Sequence, residues 1–206
     1  MIPNKGLLMG MMEPPAGFEE EFQDWYDTEH TPKVRSVQGF ETGRRFVCLS
    51  GWPRYVALYD LTTLAVLSSP EYQKKSDQGI SPWSLRVRSK MCGRYRFTGT
   101  QIYPGTAKLG DQGAVIRLLV LRFRDVTPAE EPHMLAGLRA NFDGRVGVSQ
   151  LRFFRGEEKA TGDYAATVEF HSNACSVDID PAPFGTVIKN LDLINTYATY
   201  WRMNRP

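Results

Sequence analysis

Only three histidines occur in 206 residues, and one of them, His30, closes the densest chemical stretch of the chain, "DWYDTEHTP", residues 24–32. An unperturbed imidazole titrates near pH 6.5, so it can take or give a proton at working pH. On a helix, Phe22, Tyr26 and His30 recur every four residues and form one row, with Trp25 and Glu29 on the neighbouring row. His30 is therefore a candidate acid/base, and Tyr26 a second proton donor. Glu29 or Asp27 could orient the imidazole, although adjacent helical residues point apart and make Glu29 a poor choice. Downstream, Arg44 and Arg45 offer a guanidinium for a carboxylate or an enolate oxygen. Strand alternation lets only one of them face the helix. Phe22, Trp25, Glu29, Tyr55 and Tyr59 are the candidate substrate contacts.

A plainer reading stands beside this one. A histidine in the last turn of a helix is favoured by the helix dipole and can bond the free carbonyls there. Trp25 and Tyr26 at helical spacing also suit a core, and the arginines suit solvated strand positions.

Composition narrows the function classes. Twenty-five basic residues against 23 acidic ones leave a net charge of +2, which gives little pull towards nucleic acid or a membrane surface. The apolar run "GLLMGMM" ends at Glu13 and is too short to span a bilayer. Cys48, Cys92 and Cys175 are widely spaced and odd in number, without a CxxC pair. This predicts free thiols and a cytoplasmic protein.

The elements that must position these residues read as one unit written twice. "LLMGMME" predicts a strand, and "FEEEFQDWYDTEH" a helix that finishes near His30, because Pro32 disfavours a helical Thr31. "FETGRRFVCL" and "RYVALYDL" predict strands, "TLAVLSSPEYQKKS" a short helix or helical pair, and "RYRFTGTQIY" a strand. The second half repeats the order, with strands at "GAVIRLLVLRF", "GVSQLRFF", "DYAATVEF" and "NTYATYWRM". Its helices lie at "TPAEEPHMLAGLRANF" and "PAPFGTVIKNLDL". Gly39 and Gly147 lie 108 positions apart, as do Arg44 and Arg152, while Tyr55 and Tyr164 lie 109 apart. Such a register marks a repeat. It divides the chain into a first unit, 1–104, a glycine-rich linker, 105–112, and a diverged second unit, 113–206.

Each β-α-β-β-α-β unit has the ferredoxin-like order. The expected fold class is α+β: two tandem repeats, their antiparallel sheets face to face as an intramolecular α+β barrel with helices outside. The run "FQDWYDTEHTPKVRSVQGFETGRRF", with "RYVALYDL" and "LSSPEY", resembles the EthD-like branch of the dimeric α+β barrel superfamily across residues 7–100. Over 113–203 only the topology matches. The resemblance implies a ligand cleft between helices and sheet, and small-molecule chemistry of the monooxygenase, lactone isomerase, polyketide cyclase or decarboxylase kinds.

The leading expectation is cofactor-independent proton transfer on an aromatic, lactone or polyketide-like substrate, with His30 as acid/base and Arg44 or Arg45 as electrostatic stabiliser. A cofactor-free monooxygenase, a non-catalytic binding barrel, and a haem protein with His30 as proximal ligand are the competing readings. The expected partner is a small molecule, with no nucleic acid and no membrane, and the tandem repeats allow a homodimer.

The second half lacks the motif, since Leu138 or Asn141 falls where His30 would be, depending on alignment. That predicts one site, in the first half. His133 and His171 have no ligand-spaced neighbours, so no metal site is expected. "GTAKLGDQG" lacks the lysine and hydroxyl ending of a phosphate loop. "SLRVRSKMCGRYR" alternates Arg86, Arg88 and Lys90 as a solvated strand face would, a face that could bind an anion but does not point to nucleic acid.

Overall fold

Strands form where the apolar runs predict them: β1 (Gly6–Glu13), β2 (Arg44–Ser50), β3 (Tyr55–Leu61), β4 (Cys92–Tyr103), β5 (Arg117–Phe123), β6 (Val148–Gly156), β7 (Tyr164–Phe170) and β8 (Leu191–Thr199). The computed structural model describes residues 3–173 and 178–201, so Cys175 and the end of the expected last strand, Arg202 and Met203, lie outside the described residues. The α-helices are α1 (Glu19–Trp25), α2 (Thr31–Arg35), α3 (Pro70–Gln73), α4 (Pro82–Lys90) and α5 (Glu131–Phe142). A 3₁₀ segment, Ala182–Asn190, precedes β8. No helix among the described residues is long and apolar enough to cross a membrane.

The strands close into one antiparallel barrel in the order β1-β3-β2-β8-β5-β7-β6-β4. Strands β4-β1-β3-β2 form one contiguous arc and β8-β5-β7-β6 the other, in the same internal order. The arcs join at two seams, β2 with β8 and β4 with β6.

Period-two alternation sorts side chains between the lumen and the outer layers. On β3, Val56 and Leu58 enter the lumen core, while Tyr55, Ala57, Tyr59 and Leu61 pack outwards beneath the first-half helices. Both faces are covered, which is why "YVALYDL" is buried at every position. The same parity resolves the arginine pair. Phe46 belongs to the lumen core and Val47 packs with the helical layer, so Arg45 faces the helices and Arg44 the other way. Arg44 lies against Gly110, between β4 and β5, whose added Cβ would stand 3.3 Å from its guanidinium.

One end of the lumen holds charge. Arg152 on β6, fully buried, lies 2.6 Å from Asp60 on β3 and 3.2 Å from Glu169 on β7. The segment between the arcs completes this cluster: Leu109 N–H donates to Asp60 at 2.7 Å and Gly110 N–H to Glu169 at 3.0 Å. Burial pushes the Glu169 carboxyl up. Partners from both arcs and the connecting segment thus satisfy one ionic knot.

Two helical expectations are corrected. The helix does not finish near His30. Residues Tyr26–His30 form a π-helical turn, and α2 continues through Pro32 to Arg35. In an α-helix the Pro32 ring would collide with the carbonyl four residues back, and its missing N–H would leave that carbonyl unbonded. The wider turn relieves this, with the Thr31 N–H donating to Tyr26 O, five residues back. Secondly, the stretch Pro82–Lys90 is helical rather than part of a strand. Ser81 caps it by accepting from Ser84 N–H at 2.9 Å, and Pro82 occupies the first turn. Its basic residues therefore spread around a helix.

Candidate functional site

A cavity of about 350 Å³ opens between the first-half helices and the outer face of β1, β3 and β4. That volume falls in the range of small-molecule sites, about 300–1,000 Å³. Leu8, Gly10 and Met12 of β1 make part of its floor, and Trp25, Tyr26, His30 and Tyr59 line it.

The π-helical turn sets the geometry of this wall. It brings residues five apart into contact, so His30 stacks on Trp25, with centroids 4.5 Å apart and planes 26° from parallel. Tyr26 stands edge-on to His30 at 4.8 Å and to Phe22 at 5.2 Å. Trp25 is fixed from behind, because its indole N–H donates to Ser84 Oγ at 2.9 Å. Ser84 Oγ in turn donates to Glu29 at 2.6 Å, and Ser81 Oγ to the same carboxylate at 2.5 Å. Burial opposes charge on Glu29, but these two hydroxyls together with Lys33 hold its carboxyl below the usual range. Glu29 thus fastens the π-helical turn to α4 and does not line the cavity.

Arg45 buttresses the wall from the side away from the cavity. It is buried, bonds Asp27 at 2.6 Å and the Gln23 side chain, and lies between the rings of Tyr26 and Tyr200, 4.2 and 4.4 Å from their centroids. Tyr55 donates to Glu19 and tilts against Phe22 at 5.2 Å. Of the residues expected at the site, His30, Tyr26, Trp25 and Tyr59 line one cavity. Phe22, Glu29, Arg45 and Tyr55 support it, and Arg44 faces the other side of β2.

The electrostatics differ from those expected of an exposed imidazole. Burial, then the charges of Arg88, Arg45 and Lys33, push the His30 pKa down to about 3, against a smaller opposing pull from Glu29. His30 is neutral across the ordinary pH range, with one ring nitrogen a donor and the other an acceptor. Burial raises the Tyr26 and Tyr59 pKa values, so both stay protonated as donors. The Tyr59 hydroxyl, on a buried residue, is grouped with the hydroxyls of Tyr26 and Thr31.

Residues missed in the sequence complete the lining. Lys33 on α2, Lys75 and Ser76 on a second π-helical turn (Lys74–Gln78), Arg88 on α4, and Arg94 and Arg96 on β4 all border the cavity. Arg88 stands in the sequence on an apparent strand face, and only the helix at Pro82–Lys90 brings it to this cavity. Among the described residues no group of three His, Cys, Asp or Glu could hold a metal ion.

The second half fills the corresponding space. Phe184, Met134, Leu138, Phe142 and Phe123 pack solidly beneath α5, and a Cβ added at Gly137 would stand 2.3 Å from the Phe184 ring. Asn141, one of the positions aligned with His30, locks α5 to Asp180 through bonds of 3.0 and 2.8 Å.

No protein-family model matches the sequence, and no curated protein matches it. Solved structures do. An anthrone oxidase-like protein superposes with a TM-score of 0.62 at 14% identity, covering 96% of this chain and 92% of its own. The chlorite dismutase of Candidatus Nitrospira defluvii, in complex with imidazole, gives 0.56 at 9% identity over 98% and 93%. A candidate monooxygenase from Lactobacillus acidophilus NCFM gives 0.51 at 4% identity over 96% and 93%. The fold shared with these structures is a mixed α and β one, in this chain a closed eight-stranded antiparallel barrel. At these identities the likeness is one of fold.

Proposed function

We propose that the chain is a tandem pair of ferredoxin-like units of the EthD-like branch, 1–104 and 113–206 joined by 105–112, with one small-molecule site in the first unit. The repeated strand order of the two arcs supports the division. A homodimer would need another surface than the barrel seams, since both are paired within one chain. Free Cys48 and Cys92 suit a reducing, cytoplasmic setting.

The site is read as that of an isomerase- or lyase-type enzyme that moves a proton on an aromatic, lactone or polyketide-like substrate. The observation that carries this reading is a neutral imidazole facing the same cavity as two protonated phenols. His30 accepts a proton from a carbon beside a substrate carbonyl, and the electron pair moves to the carbonyl oxygen. There the Tyr26 and Tyr59 hydroxyls donate to it. A base that holds its proton this weakly passes it on, back to another atom of the same substrate. Burial is the larger cause of the low His30 pKa, and the smaller share owed to Arg88, Arg45 and Lys33 is a cationic field that also favours the substrate's oxyanion.

Deuterium exchange tests the reading. Aryl ketones, lactones and polyketide fragments are incubated in D₂O with the protein, and loss of the acidic C–H signal is followed by NMR. Exchange that needs His30 and slows in Tyr59→Phe supports it. Binding without exchange in the whole panel would leave a non-catalytic barrel, and dioxygen uptake on an exchanging substrate would shift the reading to a monooxygenase.

A further inference from the structure

The charge around the cavity is one-sided. The chain as a whole is nearly balanced, with 25 basic and 23 acidic residues, yet Lys33, Lys75, Arg88, Arg94 and Arg96 line the cavity and no described carboxylate does. The nearby acids are turned to other partners: Asp27 to Arg45, Glu29 to Ser81 and Ser84, Glu71 to Lys75. Lys33 also has a partner, the carbonyl of Gly79. Arg88 differs. It is half-buried and lines the cavity beside His30, and no described residue bonds or pairs with its guanidinium.

A half-buried guanidinium without a counter-charge is costly to keep, and its planar fork matches a carboxylate. The same cavity holds the buried hydroxyl of Tyr59, which is grouped with those of Tyr26 and Thr31. The guanidinium is therefore the feature that asks for an acceptor from outside the protein. The aromatic wall of Trp25, Tyr26 and His30 asks for a flat apolar body attached to it.

We propose that the ligand of this cavity is an aromatic carboxylate, whose acid group is taken up by Arg88 while its ring lies along the Trp25–Tyr26–His30 wall. The assignment rests on the cavity being the ligand site and names the substrate class for it. Arg94, Arg96 and Lys33 supply the surrounding positive field, which draws the anion in and raises its local concentration. Arg88 supplies the directed bonds. The neutral state of His30 suits this arrangement, because an imidazole between Arg88 and Lys33 offers the ring an uncharged neighbour.

The test uses matched probes at pH 8: 1-naphthoic acid, its methyl ester and 1-naphthamide, each titrated by calorimetry and by quenching of tryptophan fluorescence. The acid is expected to bind at least about tenfold more tightly than the two neutral probes, the value of one charge-assisted pair. Arg88→Gln should erase that preference while leaving ester binding unchanged, and Arg88→Lys should keep part of it. Arg86→Gln, which removes a surface pair with Glu21, should leave the preference intact. Thermal melts establish that each variant folds. Equal affinity for acid and ester in the wild type overturns the carboxylate assignment and leaves the cavity standing as a site for neutral molecules. A preference that survives Arg88→Gln overturns the role of Arg88. Failure of all three probes to bind overturns both this assignment and the cavity reading beneath it.

Discussion

His30 lies stacked on Trp25, five residues earlier in the chain, at a centroid distance of 4.5 Å. A regular α-helix places residues three and four apart on one face and turns the fifth away. The π-helical turn at Tyr26–His30 converts that fifth-residue spacing into a contact. Pro32 makes the regular turn costly at this place, so the proline and the imidazole–indole stack are two ends of one backbone adjustment. The cavity wall is built by it.

The first prediction concerns pH. Below about pH 6.5 the unfolded chain protonates His30, whereas in the fold burial and the charges of Arg88, Arg45 and Lys33 outweigh Glu29 and keep it neutral down to about pH 3. The unfolded state then binds more protons, so His30 makes stability fall as pH drops from 6.5 towards 3. His30→Phe keeps an aromatic stack and removes the titration. Wild type should therefore lose melting temperature faster than His30→Phe between pH 7 and pH 4. Parallel melting curves for the two proteins over that range would refute a depressed pKa.

The fold was legible in the sequence because both sheet faces are covered, so strands stand out as continuous apolar runs. "YVALYDL" and "YAATVEF" announce buried strands at the same place in each half, and each is buried throughout. The site was only half legible. Trp25, Tyr26 and His30 stand out by residue type, but their contacts depend on a turn whose width sequence spacing does not encode. The place of Arg88 on the cavity was hidden for another reason. In "SLRVRSK" basic and apolar residues alternate as in a strand, and only the Ser81–Pro82 helix start contradicts that reading. Arg44 and Arg45 could not be separated until the lumen defined which face each alternate side chain takes.

A second prediction follows from the ionic knot in the lumen. Arg152→Met leaves Asp60 and Glu169 buried without their cation, although Thr42, Leu109, Gln150 and Gly110 still donate to them. Stranding buried carboxylates in this way typically costs about 3–5 kcal/mol. Chemical denaturation should show the loss as a large fall in midpoint with an unchanged slope. A change below about 1 kcal/mol would show that the knot behaves like a surface pair.

Arg45 gives a third. Its guanidinium bonds Asp27 and Gln23 and stacks between Tyr26 and Tyr200. Lysine keeps the charge but forfeits the planar double stack and one of the directed bonds. Arg45→Lys should destabilise by about 1–3 kcal/mol and loosen Tyr26, seen as faster exchange in its aromatic NMR signals. Retention of both stability and a rigid Tyr26 would mean that charge alone holds the wall.

The last prediction addresses the packing between α5 and the second-half strands. The second-half counterpart of the cavity is occupied by the protein itself, chiefly by the fully buried Phe184 ring pressed against Gly137. Truncating that ring in Phe184→Ala should cost about 3–5 kcal/mol, because the rigid strands beneath it can close the gap only in part. The space left is lined by Met134, Leu138 and Phe123, so it should stay dry and take up a small apolar molecule such as benzene. Adding benzene should then raise the melting temperature of Phe184→Ala and leave that of Gly137→Ala unmoved. Gly137→Ala should itself destabilise by about 1–3 kcal/mol through overpacking. If benzene leaves Phe184→Ala unmoved, the helix has collapsed onto the sheet, and the contrast between the halves lies in how α5 packs and not in what fills the space under it.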